Sequence, residues 1–84
     1  MTETEISEFF ENCSFGLTII VSYGGGNIEV TIIAKESPEN KLEKVYLEGP
    51  FLLQKKEDGW FLFFDYNPGP ENVGKKVISV CFKE

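Results

Sequence analysis

The stretch Leu17–Ala34, LTIIVSYGGGNIEVTIIA, decides how the rest of the chain must fold. Side chains alternate between faces along a strand, so apolar residues two apart mark a buried side. Leu17, Ile19, Val21 and Tyr23 form one such series; Ile28, Val30, Ile32 and Ala34 form a second. Between them run Thr18, Ile20, Ser22, Glu29, Thr31 and Ile33, a more polar set. Gly24, Gly25 and Gly26 supply the positive φ angles of a tight hairpin turn. Both apolar series must face one core. The pairing Tyr23–Ile28, Val21–Val30, Ile19–Ile32 and Leu17–Ala34 achieves this, with Gly25–Gly26 as the turn between Gly24 and Asn27. A one-residue slip would set core side chains opposite polar ones. A glycine run read as a phosphate cradle needs a following helix and a basic or hydroxyl partner. Here a second strand follows and no lysine adjoins, so the run is a turn.

Upstream, residues 2–13 predict a short amphipathic helix with Ile6, Phe9, Phe10 and Cys13 on its apolar side. Thr2 and Glu5 have the spacing of a capping box. A helix this short does not persist alone and must dock on the sheet. Glu3, Glu5, Glu8 and Glu11 make its other side acidic, and the first of them suit the positive end of the helix dipole. Such a run is ordinarily a solvated face; as a functional feature it is a candidate acidic face for a basic partner.

Downstream, ESPEN (residues 36–40) reads as a loop, and Leu42–Glu48 as a strand with Val45 and Leu47 inward and Leu42 out of phase. Gly49-Pro50 is a bend, because proline cannot donate to a ladder. Phe51–Lys56 leads to Asp58-Gly59, a second hairpin turn. Closing it with Glu57 opposite Trp60 puts Leu53 opposite Phe64 and Phe51 opposite Tyr66. One face then carries Phe51, Leu53, Leu62, Phe64 and Tyr66; the other carries Leu52, Gln54, Lys56, Phe61, Phe63 and Asp65. After the loop NPGPENVG (residues 67–74), Lys75–Lys83 is a last strand. Ile78, Val80 and Phe82 lie on one of its faces, with Val77, Ser79 and Cys81 on the other. The expected fold is α+β: one N-terminal helix packed on a five- or six-stranded antiparallel sheet built from hairpins, in a single domain spanning residues 1–84.

Composition narrows the function. The 84 residues carry a net charge of −6 from 14 acids and eight lysines, with no Arg or His. An acidic surface without arginine repels phosphate, so direct nucleic-acid binding is not expected. Without histidine the commonest acid–base catalyst and metal ligand is missing. Cys13 and Cys81 have no base to activate them as nucleophiles, and no clustered ligand set for zinc is visible. No enzyme, cofactor or metal site is therefore expected. Asp65, between Phe64 and Tyr66, is suited to cap the Asn67-Pro68 turn. The acid-rich start MTETEISE lacks the basic and apolar regions of a signal peptide, and no apolar run reaches membrane-spanning length. A cytoplasmic protein that does not enter membranes is expected.

The candidate interface comes from WFLFFDY, residues 60–66, which is apolar on both faces. Such strands are usually covered on both sides, and a single helix covers one. Phe61 and Phe63 then need the 67–74 loop, a second copy or another protein over them. Ile20, Ile33 and Leu52 extend the patch if they share its side. The leading expectation is a non-enzymatic protein–protein interaction or assembly module, self-associating through this side or binding a protein partner. The alternatives are an acidic inhibitor that imitates nucleic acid in a partner's basic groove, and a β module that encloses a small apolar ligand.

Residues Ile6–Gly49 also resemble the N-terminal part of PRTRC system protein E. The likeness lies in Phe9-Phe10 on a short helix, Leu17-Thr18-Ile19, Gly24–Gly26, Val30-Thr31-Ile32, Lys35 and Val45-Tyr46-Leu47-Glu48-Gly49. It covers about half of the chain, and from Pro50 onward the pattern departs. Members of that family occur in bacterial mobile gene cassettes beside ParB-related and ThiF-related proteins. The resemblance implies such a setting and assigns no functional residue.

Overall fold

The computed structural model describes all 84 residues. Helix α1 (Glu3–Glu11) is followed by β1 (Thr18–Tyr23), β2 (Gly26–Glu36), β3 (Lys44–Leu47), β4 (Phe51–Lys56), β5 (Gly59–Phe63) and β6 (Lys75–Phe82). Each strand pairs antiparallel with the next, and β6 returns to β1. The α+β arrangement of an N-terminal helix on an antiparallel sheet is present, and the sheet closes into a six-stranded barrel. Closure removes the unpaired edges that an open sheet would expose. No helix is long and apolar enough to cross a membrane.

Helix α1 lies across one mouth of the barrel. Its capping box is formed: the Thr2 N–H donates to Glu5 Oε1 at 2.9 Å, and the Glu5 N–H donates to Thr2 Oγ1 at 3.1 Å. Ile6, Phe10 and Cys13 are buried, and Phe9 stacks on Phe82 with ring centroids 4.7 Å apart. The Trp60 indole N–H donates to Ser7 Oγ at 3.0 Å, tying β5 to the helix. At the far mouth, Phe64 makes edge contacts with Tyr23 and Phe51, at 6.1 and 5.4 Å between centroids. Between these two ends Ile19, Val21, Val30, Ile32, Val45, Leu47, Leu53, Trp60, Leu62, Val77 and Val80 fill the interior. Small barrels are packed by side chains in this way rather than hollow.

Both predicted hairpins form, and both differ from the expected register by two residues. Tyr23 pairs with Gly26, Val21 with Ile28 and Ile19 with Val30, so the turn is Gly24-Gly25 and only Gly26 of the three has positive φ, +146°. Likewise Lys56 pairs with Gly59, whose φ is +134°, and Leu53 pairs with Leu62 rather than with Phe64. A two-residue slip leaves every side chain on its expected face, so face patterning does not distinguish the two registers. Each turn instead closes where a glycine opens the returning strand.

Two bulges also change the expected faces. In β2 the register shifts between Ile32 and Ala34, which turns Ala34 outward opposite Tyr46 and brings Lys35 to the inner side opposite Val45. The Lys35 ammonium then donates to the carbonyls of Phe10 and Cys13 at 2.9 and 2.8 Å. Those carbonyls lie at and just beyond the helix C-terminus, where the dipole favours a cation. In β6 the register shifts at Ile78, so Val77 and Val80 both point inward while Ile78 is exposed. Leu42, which the alternation left out of phase, lies before β3 and is buried.

The barrel's last seam is short. β5 and β6 share two register pairs, Phe61–Lys76 and Leu62–Lys75. Beyond them Met1 meets the β6 backbone: its ammonium donates to the Ile78 carbonyl at 3.1 Å, and the Val80 N–H points at its sulfur at 3.4 Å.

Candidate functional site

The five residues of the expected interface do not form one surface. β2 and β5 stand three places apart in a ring of six strands, on opposite walls. Ile20 and Ile33 belong to the outer β1–β2 wall; Leu52, Phe61 and Phe63 belong to the outer β4–β5 wall.

The β4–β5 wall corrects the expectation that Phe63 and Leu52 await a partner. Leu52 and Phe63 face each other across the strands and retain 0 and 2% exposure. Their cover is the chain's own segment 64–74. At one end, the Tyr66 hydroxyl donates to the Leu47 carbonyl at 2.6 Å, and its ring packs on Tyr46 at 5.6 Å. At the other, Gly74 lies so close to Phe63 that an added Cβ would sit 2.9 Å from its ring. β5 therefore ends at Phe63, and Tyr66 turns back over the outside instead of continuing the strand inward. Asp65 holds the turn by accepting the Asn67 N–H at 2.9 Å. Phe61 is half-buried, with the Lys56 ammonium 5.7 Å from its ring centroid.

The β1–β2 wall has no such cover. Ile33 is 48% exposed on the bulge of β2. Beside it lie two residues not expected at a surface site: Phe15, 63% exposed, and Leu17, 39% exposed. The Gly16 N–H donates to the Ile32 carbonyl at 2.8 Å, and the Ile32 N–H donates to the Leu17 carbonyl at 3.0 Å. These bonds draw the connector after α1 against the bulge that carries Ile33, and the Lys35 ammonium lies 5.6 Å from the Phe15 ring centroid. The wall continues through Thr18 and Thr31, whose hydroxyls lie 3.3 Å apart, to half-buried Ile20. Of the acids on β2, Glu29 is paired with Lys83 at 3.0 Å and Glu36 accepts from the Tyr46 hydroxyl at 2.9 Å. Phe15 sits in a connector that carries no alternation, so its only sequence signal is an aromatic where a polar residue would serve as well.

The acids of the helix spread rather than align. At 3.6 residues per turn, Glu3, Glu11, Glu8 and Glu5 fan over about 200° of the helix circumference. Glu3 is paired with Lys55 at 2.6 Å, and Glu5 is spent in the capping box. The hydrogen bonds to Thr2, first from its backbone, hold the Glu5 carboxyl below its ordinary value. Glu8 and Glu11 are exposed and make no ion pair. Burial raises the Cys13 thiol above its ordinary value, against an opposing pull from the Lys35 ammonium. Cys81 is exposed on β6.

The largest cleft, about 630 Å³, runs between α1 and the β4–β5 turn, with Glu3, Ser7, Lys41, Glu43, Lys55 and Glu57 among its lining. Trp60, Phe10, Ile19, Ile32 and Leu47 line none of the clefts. No known protein family matches the chain, and no curated protein or solved structure matches it either.

Proposed function

We propose that this domain is a non-enzymatic protein–protein interaction module that assembles with itself through the outer β1–β2 wall. The observation that carries this reading is the exposure of Phe15, Leu17 and Ile33 where the connector meets β2, beside a wall whose two acids are engaged by Lys83 and Tyr46. Contiguous uncovered apolar side chains mark interaction surfaces. Copies that each carry a charge of −6 repel across most of their surfaces, and on this wall Glu29 and Glu36 are already engaged by Lys83 and Tyr46. A stable interface hides about 800 Å² per partner, roughly a sixth of the available surface. That surface is 5187 Å² in all. The packed interior favours this reading over an apolar-ligand carrier, and the fanned acids favour it over a nucleic-acid mimic. On the likeness of residues 6–49 to PRTRC system protein E, we place the module in the cytoplasm of bacteria that carry mobile gene cassettes.

Sedimentation velocity over a wide concentration range tests the proposal. The expected result is a dimer whose association weakens at least tenfold when Phe15→Ser and Ile33→Ser are combined. Val73→Ser, which changes an equally bare residue on the opposite side, should leave it intact. A strict monomer at every concentration would remove the reading.

A further inference from the structure

A second surface lies on the outer wall of β4, β5 and β6, apart from the wall proposed above. Phe61 is flanked there by Gln54 on β4 and Lys76 on β6, its register partners on either side. Lys56 pairs across the strands with Gly59, and its ammonium stands 5.7 Å from the Phe61 ring centroid and 5.1 Å from that of Phe63. The stem of Lys76 crosses the same glycine: a Cβ at Gly59 would lie 3.3 Å from Lys76 Cε and 3.9 Å from its Nζ. One ammonium thus lies over the Phe61 and Phe63 rings, and the stem of a second lysine crosses the neighbouring Gly59.

Neither of them is ion-paired; the chain's two ion pairs are Lys55–Glu3 and Lys83–Glu29. The aromatic rings hold Lys56 by its cation–π attraction and leave N–H donors free on the solvent side. A partner that covers this wall must bring negative charge, because an ammonium buried without a counter-ion is strongly disfavoured. The chain carries a matching element of its own. Helix α1 contains no basic residue, and Glu8 and Glu11 are exposed, unpaired and three residues apart, which makes them neighbours on the helix surface.

We infer that the Lys56–Phe61–Lys76 surface receives Glu8 and Glu11 of a second copy. The contact joins unlike surfaces of the two copies. It is independent of the β1–β2 wall, and its test is made on protein carrying Phe15→Ser and Ile33→Ser so that the two contacts are read separately.

In that background, amide signals of Gly59, Phe61 and Lys76 should shift together with those of Glu8 and Glu11 as the protein is concentrated. Lys56→Glu with Lys76→Glu should weaken the association at least tenfold, and so should Glu8→Lys with Glu11→Lys. Mixing the two double-reversal proteins should restore it, since each then offers the charge the other lacks. Both keep a net negative charge, so overall attraction does not explain a recovery. Unchanged amide patterns elsewhere establish that the variants are folded. A mixture that behaves as the sum of its parts overturns the inference. So does a surface that responds to a thymidine oligonucleotide but not to a second copy, which would make it a phosphate site.

Discussion

The two outer walls of this barrel are both apolar, and they are treated in opposite ways. Over β4 and β5 the chain folds segment 64–74 onto Leu52 and Phe63, pinned by Tyr66 at one end and by Gly74 at the other. Over β1 and β2 no segment returns, and Ile33 stays half-exposed beside Phe15. The stronger hydrophobic signal, WFLFF, thus marks the wall that the molecule covers for itself. The weaker signal marks the wall left bare. Apolar residues on both faces of a strand show that cover is required, and the loop that supplies it here is the longest in the chain.

The sharpest way to break this comparison is to truncate one residue on each wall. Phe63→Ala removes a ring buried under the loop and should cost about 3–5 kcal/mol in denaturant unfolding. Ile33→Ala removes a side chain half in water and should cost less than about 1 kcal/mol. Similar losses at the two positions would mean that the walls do not differ in the way described.

The differing legibility of the walls follows from what alternation encodes. It reports the face of each residue, and it correctly set Val21, Val30, Leu53 and Leu62 inward. It is blind to a slip of two, which is why both hairpins, at Tyr23–Gly26 and Lys56–Gly59, close earlier than face patterning predicts. It is also blind to bulges. Lys35 reads as the outward end of a strand, yet the bulge at Ile33 turns it in, and its ammonium donates to the Phe10 and Cys13 carbonyls at the end of α1. Barrel closure depends on β6 reaching β1, a contact between distant segments on which local pattern is silent. Phe15 escaped for a related reason: its neighbourhood is made by the Gly16–Ile32 hydrogen bond and by no periodicity.

A smaller effect sharpens the role of the cover itself. Gly74 has φ of +74°, and a Cβ there would lie 2.9 Å from the Phe63 ring and 3.1 Å from the Leu62 carbonyl oxygen. Gly74→Ala therefore combines a left-handed backbone penalty with a collision, about 2–4 kcal/mol in all. Gly69→Ala, in the same segment, meets nothing within 4 Å and has no positive φ. It should be close to neutral in the same unfolding measurement. If Gly74→Ala is equally neutral, the segment is not seated on Phe63.

The smallest effect concerns pH on the covered wall. Tyr46 lies beneath Tyr66, and its hydroxyl donates to Glu36 Oε2 at 2.9 Å. That hydrogen bond, aided by burial and by the carboxylate's charge, raises the phenol above its ordinary value of 10.0. A group whose pKa is higher in the folded state stabilises the fold through its protonated form. The contribution is complete below the unfolded value and is lost as pH climbs through the raised one. Ionised Tyr46 no longer donates to Glu36 and repels it, beside the ring on which Tyr66 rests. Tyrosinate absorbance should accordingly show a step above the ordinary phenol range, and Tyr46→Phe should delete that step. Hydrogen exchange near Tyr66 should quicken across the same alkaline range in the parent protein and not in Tyr46→Phe, while exchange at Thr18 and Thr31 on the bare wall stays level. A matching change on both walls would tie the effect to global unfolding instead of to the cover.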